Sequence, residues 1–140
     1  EDTAHRGLSQ LGPASRRACM GALLTAGTTI LEPMLAIEVR VPTDLVGNVA
    51  TVLSGKRGKV LDMAQKGASS IIIGEIPASE TFTLSEAMRG QTAGRATWNT
   101  SFKAWTELPK SIATTAIAEI RKRKGLAPEP PGIDEYIDRE

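Results

Sequence analysis

The spacing of apolar residues between Leu35 and Phe102 switches back and forth between a period of two and a helical period, and few folds accept that succession. Leu35, Ile37, Val39 and Val41 alternate with Ala36, Glu38, Arg40 and Pro42, the pattern of a strand with one buried face. Thr43 can cap the segment that follows, where Leu45, Val46, Val49, Val52 and Leu53 recur at helical spacing up to Ser54-Gly55. Residues 59–65 and 70–76 are two apolar runs around Lys66-Gly67-Ala68, which predicts a hairpin closed by Pro77. Thr83 with Glu86 forms a capping box, and Phe82 with Ala87 occupies staple positions, so a second helix is expected from about Leu84 to Gly90. Ala96, Trp98, Thr100 and Phe102 then alternate with Arg95, Thr97, Asn99 and Ser101. This is a fourth strand, with Trp98 and Phe102 expected on its core face.

The order strand, helix, strand, strand, helix, strand predicts an α+β fold of the split βαβ, or ferredoxin-like, type: an antiparallel sheet with both helices on one face. Residues 1–12 read as a loop, and Pro13 suits the first position of a helix that carries Ala14, Ala18, Ala22 and Leu23 to Gly27. After Pro109, a helix built on Ile112, Ala116, Ile117 and Ile120 is expected to end at Gly125, followed by an extended tail from Pro128 to Gly132. The expected organisation is 1–31, then the ferredoxin-like domain over 32–109, then a helix and acidic tail over 110–140.

At 140 residues, with 41% hydrophobic and 24% charged, the chain can build a packed core; disorder and coiled coil are disfavoured by composition. It has no apolar run of membrane-spanning length and no basic, signal-like start, so a cytoplasmic location without membrane partners is expected. Glu1 in place of an initiator Met points to a piece of a longer polypeptide or a processed product. A single cysteine, Cys19, removes disulfide and structural zinc frameworks.

The chemistry of hydrolysis is hard to place. A phosphate-binding loop needs Gly, four residues, then Gly-Lys-Ser/Thr, and here Gly55-Lys56 has Ala50 and Arg57 at the decisive positions. His5 is the only histidine, with Asp2 as a poor catalytic partner, so no nucleophile or metal site converges on it. It lies in a short polar loop between Asp2 and Arg6-Gly7, where burial is not expected.

Charge is unevenly distributed around a net value of +1. Acidic residues concentrate after Pro128, while cations cluster at Arg16-Arg17, at Lys56-Arg57 with Lys59, and at Arg121-Lys122-Arg123-Lys124. That is the pattern of a surface facing a polyanion. The last cluster also has a local reading, because cations in the final turn of a helix complement its dipole. A base-stacking platform is not expected, since the strand bearing Ile71, Ile72 and Ile73 carries no aromatics; RNA contact would come from loops and basic edges through phosphates.

Asp2-Thr3-Ala4-His5-Arg6-Gly7, followed by Gln10, Pro13 and Arg17, resembles the tip loop and following helix of domain IV in the elongation factor 2 family of archaeal and eukaryotic ribosomal translocases. The likeness continues through Leu31-Glu32-Pro33, Lys56-Arg57-Gly58, Pro77 with Glu80 and Phe82, Gly94-Arg95-Ala96 with Trp98, and Ile120 to Leu126. It ends in Pro128-Glu129-Pro130-Pro131. The resemblance implies the end of domain IV followed by domain V, a monomer that contacts ribosomal RNA, with the tip loop (Asp2, His5, Arg6, Gly7) reaching tRNA and mRNA in the decoding centre. By position, His5 is the histidine that the family converts to diphthamide. GTP and magnesium are expected only in a G domain elsewhere in the polypeptide, with no cofactor for these residues and no catalysis by them. On charge alone, Lys56, Arg57 and Lys59 are assigned to RNA backbone contact. The alternative is a stand-alone ferredoxin-like regulatory or RNA-binding module; a phosphatase of similar fold would need an anion loop and an activated nucleophile.

Overall fold

The computed structural model describes residues 7–137. Two compact units are present: one spans Leu31–Glu107, and the other draws on the described residues before Leu31 and after Glu107.

Within the first unit the elements are β1 (Leu31–Pro42), α2 (Val46–Gly55), β2 (Lys59–Lys66), β3 (Ser69–Pro77), α3 (Leu84–Thr92) and β4 (Thr97–Glu107), with short 3-10 turns at Thr43–Leu45 and Ala78–Thr83. The other unit contributes α1 (Leu8–Ala26) and α4 (Lys110–Arg123). The four strands lie in the order β2-β3-β1-β4 with every pair antiparallel, which is the split βαβ topology.

Alternation in β1 decides where the core lies. Val39 stands opposite Ile72 on one side and Trp98 on the other, so these residues share a face. On that face Ile37, Val39, Val41, Ile72 and Ile76 pack with Val49, Val52 and Leu53 of α2 and Leu84 and Met88 of α3. Each such fully buried aliphatic side chain contributes about 1.5–3 kcal/mol. Trp98 is half-buried against this cluster. Polar groups that enter the core are satisfied locally: Thr92 Oγ1 donates to the Met88 carbonyl at 2.7 Å, and the Ala96 amide donates to Thr92 Oγ1 at 3.4 Å.

Both edge strands are interrupted. The pairing of β2 shifts between Val60 and Asp62, leaving Leu61 as the extra residue, and that of β4 shifts so that Lys103 is extra opposite Met34/Leu35. Such bulges discourage edge-to-edge pairing. The second bulge also brings Trp105 onto the face of Phe102, which itself keeps its register opposite Leu35. Expected in the core with Trp98, Phe102 is 58% exposed and instead lies 5.9 Å, centroid to centroid, from the Trp105 ring.

Other differences have local causes. α1 begins at Leu8, not Pro13; Pro13 lies inside the helix, where it supplies no amide to the ladder. Gly27 does end it, in the left-handed region at φ 75°. The Thr83 hydroxyl makes no cap to α3, because it accepts a hydrogen bond from Lys56 Nζ. Phe82, 88% exposed, forms no staple, because the 3-10 turn Ala78–Thr83 replaces the extended approach that a staple needs. In the other unit, α1 buries Gly21, where an added Cβ would lie 3.7 Å from Ile137 Cγ1 and from Tyr136 Cβ, so the tail after Gly132 returns to that helix.

Gly74 tests the sheet directly. A Cβ there would come within 2.5 Å of the Lys59 carbonyl oxygen, a backbone atom that can yield only by parting β2 from β3. Gly74→Ala is expected to lower stability by about 2 kcal/mol or more; an unchanged denaturation midpoint would contradict this close approach.

Candidate nucleic-acid interface

The turn from α2 to β2 carries the three cations assigned to RNA. It is closed by a Schellman motif: the Gly58 amide donates to the Leu53 carbonyl at 2.8 Å and the Arg57 amide to the Ser54 carbonyl at 3.3 Å. The left-handed position in such a motif is normally glycine, yet here it is Arg57, at φ 54°. A side chain in that conformation costs roughly 1–2 kcal/mol. Gly58 follows because a Cβ at that position would lie 2.9 Å from both the Glu75 and the Leu53 carbonyl oxygens. The turn is therefore pressed onto β3 and held rigid.

What offsets the strain at Arg57 is its side chain. Nη1 and Nη2 each donate at 2.8 Å to Glu32, and Nε donates at 3.1 Å to Glu80. Nη2 also reaches Ser79 Oγ at 3.3 Å. The Arg57 and Glu32 side chains are only 28% and 12% exposed, so this two-pronged pair is shielded well enough to count. Hydrogen bonding to Glu32 raises the Arg57 pKa further above its ordinary value; the hydrogen bond to Glu80 adds to it, and burial opposes it. The fork joins the start of β1, the end of α2 and the turn after β3.

The neighbouring cations differ. Lys56 is half-buried and donates to Thr83 Oγ1 beside the C-terminal end of α2, where the helix dipole favours a cation. Lys59 is exposed and stands opposite Glu75 on the helix-free face of the sheet, and Glu75 accepts from Lys103 Nζ at 2.7 Å. The structure thus gathers Lys56, Arg57 and Lys59 on one rigid turn, with the guanidinium engaged inside the unit and the two lysines flanking it. Gly7 is the exposed N-cap of α1. Asp2, His5 and Arg6 lie outside the described residues.

Sequence reasoning did not find the partners of Arg57. Glu32 and Glu80 are more than twenty residues away, and neither lies in a charged run. The one available signal was Arg57 itself, a bulky residue between Lys56 and Gly58 where a helix C-terminus calls for glycine.

Among the described residues no group of His, Cys, Asp and Glu could hold a metal ion, and no helix is long and apolar enough to cross a membrane. What the turn offers is cations on a fixed frame, which suits contact with an extended anion.

An antiparallel split βαβ unit bearing such a turn belongs to a class of α+β modules, and comparison with known proteins narrows the class. Residues 29–116 match the family model described as "Elongation factor G C-terminus", and the chain belongs to that family. Over all 140 residues it is 76% identical to elongation factor 2 of Cenarchaeum symbiosum, and over 137 residues it is 48% identical to elongation factor 2 of Metallosphaera sedula. It spans 19% of the length of each of these relatives. A crystal structure of a Thermus thermophilus protein superposes with a TM-score of 0.61 at 32% identity, covering 65% of this chain and 14% of that one. These likenesses support reading the chain as the C-terminal part of a translation elongation factor.

Substitutions at Arg57 separate its backbone strain from its ion pairs. Arg57→Ala, which leaves Glu32 shielded and unpaired, is expected to destabilise the unit by about 2–3 kcal/mol. Arg57→Gly, which loses the same pairs but relieves the left-handed backbone, is expected to cost about 1 kcal/mol less. Equal denaturation midpoints for the two variants would contradict the account.

Proposed function

We propose that this chain supplies ribosome contacts for an elongation factor 2 that promotes GTP-dependent translocation of tRNA and mRNA, with nucleotide hydrolysis carried out elsewhere in the polypeptide. The observation that supports this reading most is the 76% identity to elongation factor 2 across the full length of the chain. The geometry of the α2–β2 turn adds to it. Lys56 and Lys59 would meet ribosomal RNA phosphates, and Arg57 would hold the frame on which they stand. In this reading the loop holding His5 is the part that reaches the decoding centre, and His5 is the residue modified to diphthamide.

Ribosome binding by the chain is expected to weaken steeply with added salt, because phosphate contacts release counterions. Lys56→Ala with Lys59→Ala should flatten the dependence of log K on log salt by about 1–2 while the variant stays folded. Salt-independent binding, or an unaltered slope in the double variant, would count against the assignment. For His5, intact mass after expression in an archaeal host is expected to exceed the plain-sequence value; agreement with the plain sequence would remove the modification.

A further inference from the structure

The cations at the end of α4 exceed what the helix itself requires. Its C-terminus is closed by backbone alone: Leu126 N–H donates to the Arg121 carbonyl at 2.9 Å, Gly125 N–H to the Lys122 carbonyl at 3.0 Å, and Lys124 N–H to the Ile120 carbonyl at 3.2 Å. Gly125 takes the left-handed position at φ 68°. The carbonyls of Ile120, Arg121 and Lys122 therefore need no lysine or arginine side chain as a cap. The helix dipole amounts to about half a unit charge, and one cation answers it. Arg121 is placed to be that one, with Nε donating to the Ala127 carbonyl at 2.6 Å.

Lys122, Arg123 and Lys124 remain, all exposed and in no ion pair among the described residues. Successive helical residues turn by about 100°, so the three form a collar around the helix end and not a stripe along one face. Their nearest acids in sequence are Glu119, one turn back, and Glu129, beyond Pro128. Splayed in different directions, the three cannot all be answered by Glu119, and an extended anion passing the helix end can meet them in turn.

We infer that this collar is a second RNA-contacting surface, in the unit that does not contain the α2–β2 turn, and that it binds the phosphate backbone through Lys122, Arg123 and Lys124. The charge geometry specifies a polyanion; the choice of RNA among polyanions rests on the translation-factor reading above. No stacking aromatic lies within the collar, so the contact is to phosphates and carries little base preference.

The test uses the 140-residue chain with a labelled 20-nucleotide RNA hairpin followed by fluorescence anisotropy, and, in parallel, purified archaeal ribosomes. Lys122→Ala/Arg123→Ala/Lys124→Ala is expected to weaken hairpin binding about tenfold or more at low salt and to flatten the log K against log salt slope by about 2–3, with an unchanged melting temperature. The charge-preserving Lys122→Arg/Arg123→Lys/Lys124→Arg variant should keep the wild-type slope. Hairpin binding that is indifferent to the alanine variant overturns the inference. So does poly-glutamate competing as well as the hairpin at equal charge, or tighter binding to phosphatidylserine vesicles than to RNA. The two readings fail separately: a chain that binds the hairpin through the collar but not the ribosome sinks the ribosome reading alone, while ribosome binding unaffected by the alanine variant, with hairpin binding equally unaffected, sinks the collar alone.

Discussion

A guanidinium fork at Arg57 joins three segments that are distant in the chain: Glu32 at the start of β1, Glu80 in the turn after β3, and the end of α2 that carries the arginine itself. A planar donor set matches a carboxylate on two prongs, which a lysine ammonium cannot do, and the third contact through Nε orients the plane. Around this fork the backbone comes close to itself, with Gly58 against the carbonyls of Leu53 and Glu75 and Gly74 against that of Lys59. The ion pairs and the glycines are complementary. The glycines let the turn sit down on β3, and the pairs hold a residue in a backbone conformation it would otherwise leave.

That arrangement separates two roles that charge alone had merged. Arg57 faces the molecule, while Lys59 faces solvent and Lys56 sits between these extremes at a helix end. A rigid frame with cations on its rim suits recognition of an RNA backbone, whose phosphates reward position more than they reward particular side chains. The collar on α4 has the same logic in another unit, with a backbone-closed helix terminus as its frame.

Much of the fold was legible because its signals are local. Period-two runs at Leu35 to Val41 and Ala96 to Phe102, the helical stripe from Leu45 to Leu53 and the hairpin around Gly67 all became the expected elements, in the expected order. Less legible were the places where one residue answers to a distant one. Thr83 has the sequence of a cap, yet its hydroxyl meets Lys56; Phe82 and Ala87 have staple spacing, yet a 3-10 turn intervenes. Phe102 keeps its alternation with Trp98 and its place opposite Leu35, yet it is exposed, beside a Trp105 that the bulge at Lys103 brings to the same face.

Element type and order, the buried face of β1 and the family resemblance were present in the linear pattern, because each depends on neighbours within a few residues or on motif order along the chain. The inward turn of Arg57, the identity of its carboxylate partners and the backbone closure that leaves Lys122, Arg123 and Lys124 without a capping task were decided only in three dimensions. A charge shows its sign in a sequence but not its partner, since the partner is chosen by which backbone segments the packed core brings within hydrogen-bond reach.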